Sequence, residues 1–198
     1  MTPGMDVQIA EAVIALRSGQ VVAIPTDTVY GLAADPGVEG ATAEMFRLKG
    51  RPSSTALPVL VESAEQAAGL ARLDEHHVKL LAAYWPGPLT VVVPRRATAM
   101  SWALGGDGST IGLRCPGNEL ARNLLHLSGP LAVSSANRHG RPPCRTAVEA
   151  RSELGDGLVV LDGGTCEGQS STVVSLLGGS LRLLRAGPLS LEDLESVL

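Results

Sequence analysis

Two cations of different kind, Lys49 and Arg51, stand two positions apart in Arg47-Leu48-Lys49-Gly50-Arg51-Pro52. An arginine grips a carboxylate or phosphate through parallel N–H donors, whereas a lysine supplies a compact point charge. The segment falls at an expected helix end, where the dipole favours cations anyway. A plain C-terminal charge cluster therefore competes with an anion clamp built from Lys49 and Arg51. Composition favours the clamp. Of the 16 basic residues only Lys49 and Lys79 are lysines, so a chain that otherwise uses arginine has kept an ammonium at position 49. Lys79, in a helical stretch, needs no such explanation.

Two other segments concentrate polar groups directly after expected strands, where α/β sheets commonly bind ligands. Pro25-Thr26-Asp27-Thr28-Val29-Tyr30-Gly31-Leu32 packs two hydroxyls, a carboxylate and a phenol together; taken alone it is better read as a turn with local side-chain bonds. Ser134-Ser135-Ala136-Asn137-Arg138-His139-Gly140 offers small donors and acceptors and a glycine that lets a ligand approach; an Asx or Ser turn is the alternative. His139 is expected to be a loop residue. Arg114, in Thr110-Ile111-Gly112-Leu113-Arg114-Cys115-Pro116, is a lone charge in an apolar strand. If buried, it needs an internal salt bridge or a ligand carboxylate. Arg185 ends the last expected strand, and a surface position would suffice for it. Trp85-Pro86-Gly87-Pro88 reads as a corner between helix and strand.

These segments must be positioned by regular elements. Periodicity and stop signals predict helices near 7–18, 39–49, 74–84 and 119–127, the first capped by Asp6. Strands are expected at 20–24, 57–61, 89–93, 110–114, 131–134, 158–161, 172–175 and 181–184. Ser63 with Gln66 and Thr146 with Glu149 form capping-box patterns, and Ser190 caps a last helix. Residues 95–108, rich in Gly, Ala and Ser, are expected to form a long flexible loop. Strand–helix alternation followed by consecutive strands predicts an α/β fold on a mixed sheet. A length of 198 residues suits a single domain spanning 1–198.

Composition excludes several classes. The net charge of −4 is not that of a nucleic-acid-binding chain, though a local basic face could exist beneath it. No apolar run is long enough to cross a bilayer, and no secretory signal opens the chain. Cys115, Cys144 and Cys166 are odd in number and scattered, which points to a reducing cytoplasm rather than a disulfide framework or a zinc site. Cys115 is expected in the core. His76 and His77 are adjacent, so on a helix they cannot share a metal.

Read together, PTDTVYGL, KxRP, WPGPLT, TIGLRCP, SAN followed by Gly140, GxxST and RxG resemble the YrdC/Sua5 family in order, from about Val21 to Gly187. The resemblance is to the short YrdC form. It implies a twisted open mixed sheet with flanking helices around a concave, positively charged cavity. The implied activity is threonylcarbamoyl-AMP synthesis: L-threonine and bicarbonate give N-carboxythreonine, which attacks the α-phosphate of ATP and releases pyrophosphate. The product serves t6A37 modification of tRNA, with partner proteins for the transfer. The resemblance also admits direct binding of tRNA or double-stranded RNA, or a paralogue with another carbamoyl or nucleotide reaction. Carried over by position, it implies Thr28, Leu60, Arg114, Val133 and Ser171 around threonine. Arg51, Thr55, Thr110, Ser135, Pro143 and Arg185 would surround ATP. Lys49, Arg51, Ser135 and Asn137 form its catalytic set. Mg²⁺ is expected with ATP, without a protein ligand. The chain departs from the family at Ala56, Leu60, Val133-Ser134 and His139, which touch the threonine pocket and the Ser-Asn loop.

Overall fold

Alternation along the strands decides how the molecule is layered. The computed structural model describes residues 3–198. Its helices are α1 (Pro3–Arg17), α2 (Ala41–Lys49), α3 (Ala64–Leu70), α4 (Glu75–Tyr84), α5 (Glu119–Ser128), α6 (Ala147–Leu154) and α7 (Leu191–Glu195). The strands are β1 (Val22–Ile24), β2 (Gly31–Ala34), β3 (Val59–Leu60), β4 (Leu89–Pro94), β5 (Thr110–Arg114), β6 (Leu131–Ser135), β7 (Val159–Val160), β8 (Thr172–Ser175) and β9 (Arg182–Arg185). They form one sheet in the order β7-β1-β2-β6-β3-β5-β4-β8-β9. The β1/β7, β3/β5 and β4/β8 pairs are parallel and the others antiparallel, so the sheet is mixed, as expected from the element order.

Successive side chains point to opposite faces. On one face Ala23, Leu32, Val59, Val91, Leu113 and Ala132 join a core with Met45 of α2, Leu70 of α3, Leu80 of α4 and Ala150 of α6. On the other, Val22, Ile24, Ala33, Leu131 and Val133 pack under Ile9 and Leu16 of α1 and Leu124 and Leu125 of α5. Helices α1 and α5 lie against each other, with α1 over β1 and β7. Further along this second face, Leu60, Thr90, Val92, Gly112 and Val173 line a cavity instead. The site is therefore the part of one sheet face that α1 and α5 leave uncovered.

Several local expectations are corrected. Asp6 does not cap α1: the helix already begins at Pro3, and Asp6 sits in its first turn, where its charge still suits the dipole. Gly31–Ala34, absent from the expected strands, is the strand β2, paired antiparallel to both β1 and β6. The two capping boxes close only halfway. Ser63 Oγ accepts from the Gln66 amide, but Gln66 Oε1 reaches back to Glu62 N rather than Ser63 N. Likewise Thr146 Oγ1 caps Glu149 N, while Glu149 Oε2 accepts from Arg145 N. The longer side chains overshoot by one residue. Reciprocal boxes form at Asp74/His77 and Ser190/Asp193. Residues 95–108 are tethered rather than loose. Arg95 donates to the carbonyls of Thr110 and Trp102, Arg96 donates to that of Ala71, and Ala99 and Leu104 are buried. Arginine-to-carbonyl anchoring has no signature in composition.

The corner at residues 85–88 is as expected. The Trp85–Pro86 peptide is cis, the Trp85 indole N–H donates to Leu89 O, and Gly87 N donates to Cys115 O. At the far edge Gly187 runs against the backbone of residues 170–172. A Cβ there would lie 2.3 Å from Thr172 N and 2.6 Å from Ser170 O, both rigid neighbours. Gly187→Ala is therefore expected to destabilise the fold by about 2 kcal/mol or more, measured by urea unfolding. Wild-type stability in that variant would contradict the packing described.

Candidate active site

A cavity of about 300 Å³ opens on the uncovered half-face. Its wall contains Arg51, Arg114 and Arg185 and no acidic side chain. Strand alternation builds the floor: Thr110, Gly112 and Arg114 of β5 face the cavity while Ile111 and Leu113 enter the core. On β4, Thr90 and Val92 face in while Leu89, Val91 and Val93 pack beneath. Gly31 and Gly112 keep the floor open; a Cβ on Gly31 would press to 2.8 Å from Val133 Cγ1.

Arg114 is buried at 6% exposure. Its Nε donates to Gly87 O (3.0 Å), Nη1 to Thr28 Oγ1 (3.0 Å) and Nη2 to Asp27 Oδ1 (2.6 Å). The lone strand arginine thus has an internal carboxylate partner and still faces the cavity. Burial lowers its pKa, with Asp27 opposing.

Arg185 donates through Nε and Nη2 to Ser171 O and through Nη2 to Ser171 Oγ (2.8 Å). Ser171 Oγ in turn lies 2.9 Å from Thr90 Oγ1. Arg185 reaches the cavity because the β8–β9 register slips between Val173 and Val174, so that Leu184 and Arg185 both line it. A bulge re-aims side chains in this way. Arg51 donates to Ser134 Oγ (3.2 Å) and to the carbonyls of Thr55 and Ala56. Burial first, then the charge of Arg51, lowers the pKa of Arg185. The guanidiniums therefore repel across a space walled without an anion.

Lys49 sits behind this wall at 3% exposure. Its ammonium donates to Ser135 O and to Asn137 O (2.6 Å for the latter), and its own carbonyl accepts from His139 N. It thereby pins the turn that follows β6. Asn137 Nδ2 donates to Arg138 O and Arg141 O, both at 2.8 Å, leaving its buried Oδ1 without a protein partner. Burial, then the Arg51 charge, pulls the Lys49 pKa down to about 8.

With this geometry in view, comparison with known proteins is direct. The Sua5/YciO/YrdC family model, described as telomere recombination, matches residues 14–187. The chain belongs to the Sua5/YciO/YrdC family. A Mycobacterium tuberculosis relative is 44% identical over 193 residues, covering 96% of this chain and 88% of its own length. The threonylcarbamoyl-AMP synthase of Bacillus subtilis is 37% identical over 198 residues, covering 98% of this chain and 57% of its own. The crystal structure of Pyrococcus abyssi Sua5 complexed with L-threonine superposes with a TM-score of 0.87 at 35% identity, over 96% of this chain and 57% of that one. The chain thus spans little more than half the length of those two proteins. The expected fold is the observed one.

Of the residues singled out from sequence, the Sua5/YciO/YrdC fold gathers Thr28, Arg51, Leu60, Thr110, Arg114, Val133, Ser135, Ser171 and Arg185 on one cavity. Lys49 and Asn137 lie beneath the rim, holding backbone. Thr55 is exposed beside the cavity and meets Arg51 through its carbonyl. Pro143 stands outside the lining, next to Cys144, whose carbonyl accepts from Tyr30 N. Thr90, Gly112, Ser134, Ser170 and Leu184 also line the cavity without having been assigned a role. A polar or small residue at alternate positions of an apolar strand was the signal for Thr90 and Gly112. Leu184 carried no signal, because the bulge that turns it inward depends on pairing. Cys115, Cys144 and Cys166 are buried and free, and no group of three or more metal-ligating side chains occurs among the described residues.

The folded-state pKa of Lys49, about 8, lies below its ordinary 10.5. Between those values the unfolded chain holds the additional proton, so stability rises with pH through that window. The stability of wild type relative to Lys49→Met is expected to grow from about pH 7.5 to about pH 9.5 in urea titrations. A difference that stays flat or shrinks would contradict the burial of a charged Lys49.

Proposed function

We propose that this chain is a threonylcarbamoyl-AMP synthase, a nucleotidyltransferase that joins L-threonine, bicarbonate and ATP. The observation carrying this reading is a cavity walled by three arginines and no carboxylate, in a family whose relatives bear that name. Such a wall suits ligands with several negative charges. Arg114, the most buried of the three, would take the amino-acid carboxylate, beside Thr28, Leu60, Val133 and Ser171. Arg51 and Arg185, with Thr110 and Ser135, would take the phosphates. Lys49 and Asn137 would act by holding the turn that presents Ser135.

The chemistry needs little beyond position and charge. The threonine amine adds to bicarbonate with loss of water, giving a carbamate. A carbamate oxygen then forms a bond to the α-phosphorus as the bond to pyrophosphate breaks. Adenylyl transfer of this kind relies on alignment and on neutralising the phosphate oxygens. Fixed guanidiniums lining a concave cavity supply this without reorganising. An anionic carbamate needs no general base. Mg²⁺ would arrive on ATP, held by phosphate oxygens and water, which agrees with a lining free of carboxylates. The product would go to t6A-transfer partner proteins and tRNA. No helix among the described residues is long and apolar enough to cross a membrane, and a cytoplasmic site of action is part of the proposal.

Pyrophosphate release from MgATP should require both threonine and bicarbonate. Arg51→Ala is expected to lower kcat/KM by about 100-fold. Arg114→Ala should mainly raise the KM for threonine. Equal ATP turnover with and without threonine would reject the assignment.

A further inference from the structure

We propose that Asp27 is the positioning residue for the amino-acid carboxylate, setting the plane in which Arg114 presents its free N–H groups to the cavity. This rests on the reading of Arg114 as the carboxylate anchor. A guanidinium is planar and carries five N–H groups. In Arg114 one on Nε, one on Nη1 and one on Nη2 are held by Gly87 O, Thr28 Oγ1 and Asp27 Oδ1. Each terminal nitrogen therefore keeps one further N–H, and two N–H groups of one guanidinium can bind a carboxylate together.

Of the three holding contacts, two are to neutral oxygens at 3.0 Å and the third is the charge-assisted contact at 2.6 Å. Asp27 is itself fixed. The same Oδ1 accepts from Gly117 N at 2.8 Å, and Gly117 leaves room for the carboxylate, since a Cβ there would stand 3.1 Å from Asp27 Cγ. Asp27 does not line the cavity, so it acts through Arg114 rather than on the ligand.

Because both contacts fall on Oδ1, geometry and charge can be separated. Asp27→Asn can keep both bonds through its amide oxygen while removing the negative charge. Asp27→Ala loses both. Threonine and ATP binding to the full chain would be measured by calorimetry, alongside the two KM values. Asp27→Ala should bind threonine about tenfold more weakly, with ATP affinity unchanged. Asp27→Asn should bind threonine as tightly as wild type or more tightly, since Arg114 keeps its plane and loses its internal counter-ion. If Asp27→Ala does not fold, Gly117→Ala, which displaces the carboxylate from its other side, should weaken threonine and spare ATP.

Wild-type threonine affinity in Asp27→Ala, or in Gly117→Ala where that variant replaces it, overturns the proposal. So does Asp27→Asn binding as weakly as Asp27→Ala, or a parallel loss for threonine and ATP. If wild type binds no threonine, the functional reading fails together with the proposal. If wild type binds threonine and Asp27→Ala is indifferent, only the proposal fails.

Discussion

Positive charge held in place by oxygen atoms that mostly do not neutralise it is the constraint on which the site depends. Arg51 is fixed by Ser134 and by the carbonyls of Thr55 and Ala56, Arg185 by Ser171, and Lys49 by the carbonyls of Ser135 and Asn137. Carbonyls and hydroxyls orient a cation while leaving most of its field available to a ligand. A carboxylate would orient it equally well and cancel that field. Of the four described cations at the site, Arg51, Arg114, Arg185 and Lys49, only Arg114 has an acidic partner, and that partner lies behind the wall. Buried cations without counter-ions are costly, and the lowered pKa values of Lys49 and Arg51 register that cost. Strain of this kind gathers where an anionic ligand is meant to relieve it.

The sheet makes the arrangement possible. One face is covered by α2, α3, α4 and α6, which leaves the other to be shared between α1 with α5 and the cavity. Strand alternation then lets a single stretch serve both purposes. In Thr110–Arg114 the apolar residues stabilise the core while Thr110, Gly112 and Arg114 shape the site. A substitution at Gly112 would fill the floor, and one at Leu113 would open the core, although the two are neighbours in the chain. The rim is closed by contacts between distant segments. His139 N reaches Lys49 O, and Ala136 N reaches Tyr30 O.

Much of this was legible in the chain itself. The order of the motifs marked the family and the fold class, and the hydroxyl clusters after strands pointed to residues that line the cavity, because motif residues and turn chemistry are local properties. Alternation located most strands and stop signals most helices. The exceptions have physical causes. The strand Gly31–Ala34 is short and follows a polar cluster, so its pairing to β1 and β6 outweighed its local appearance. Residues 95–108 looked loose, yet Arg95 and Arg96 tie them to backbone carbonyls far away in sequence.

Residue types and their order set which groups were available: cations of two kinds, small hydroxyls, glycines where a floor must stay open, and the period that sends them to one side of a sheet. Tertiary structure alone decided their duties. It turned Lys49 away from the cavity into the backbone of the Ser-Asn turn, gave Arg114 its partner in Asp27, and swung Leu184 and Arg185 inward through a bulge. Side-chain type and period are written residue by residue. A hydrogen-bond partner or a strand register is set by what another part of the chain places opposite, and that exists only once the sheet has closed.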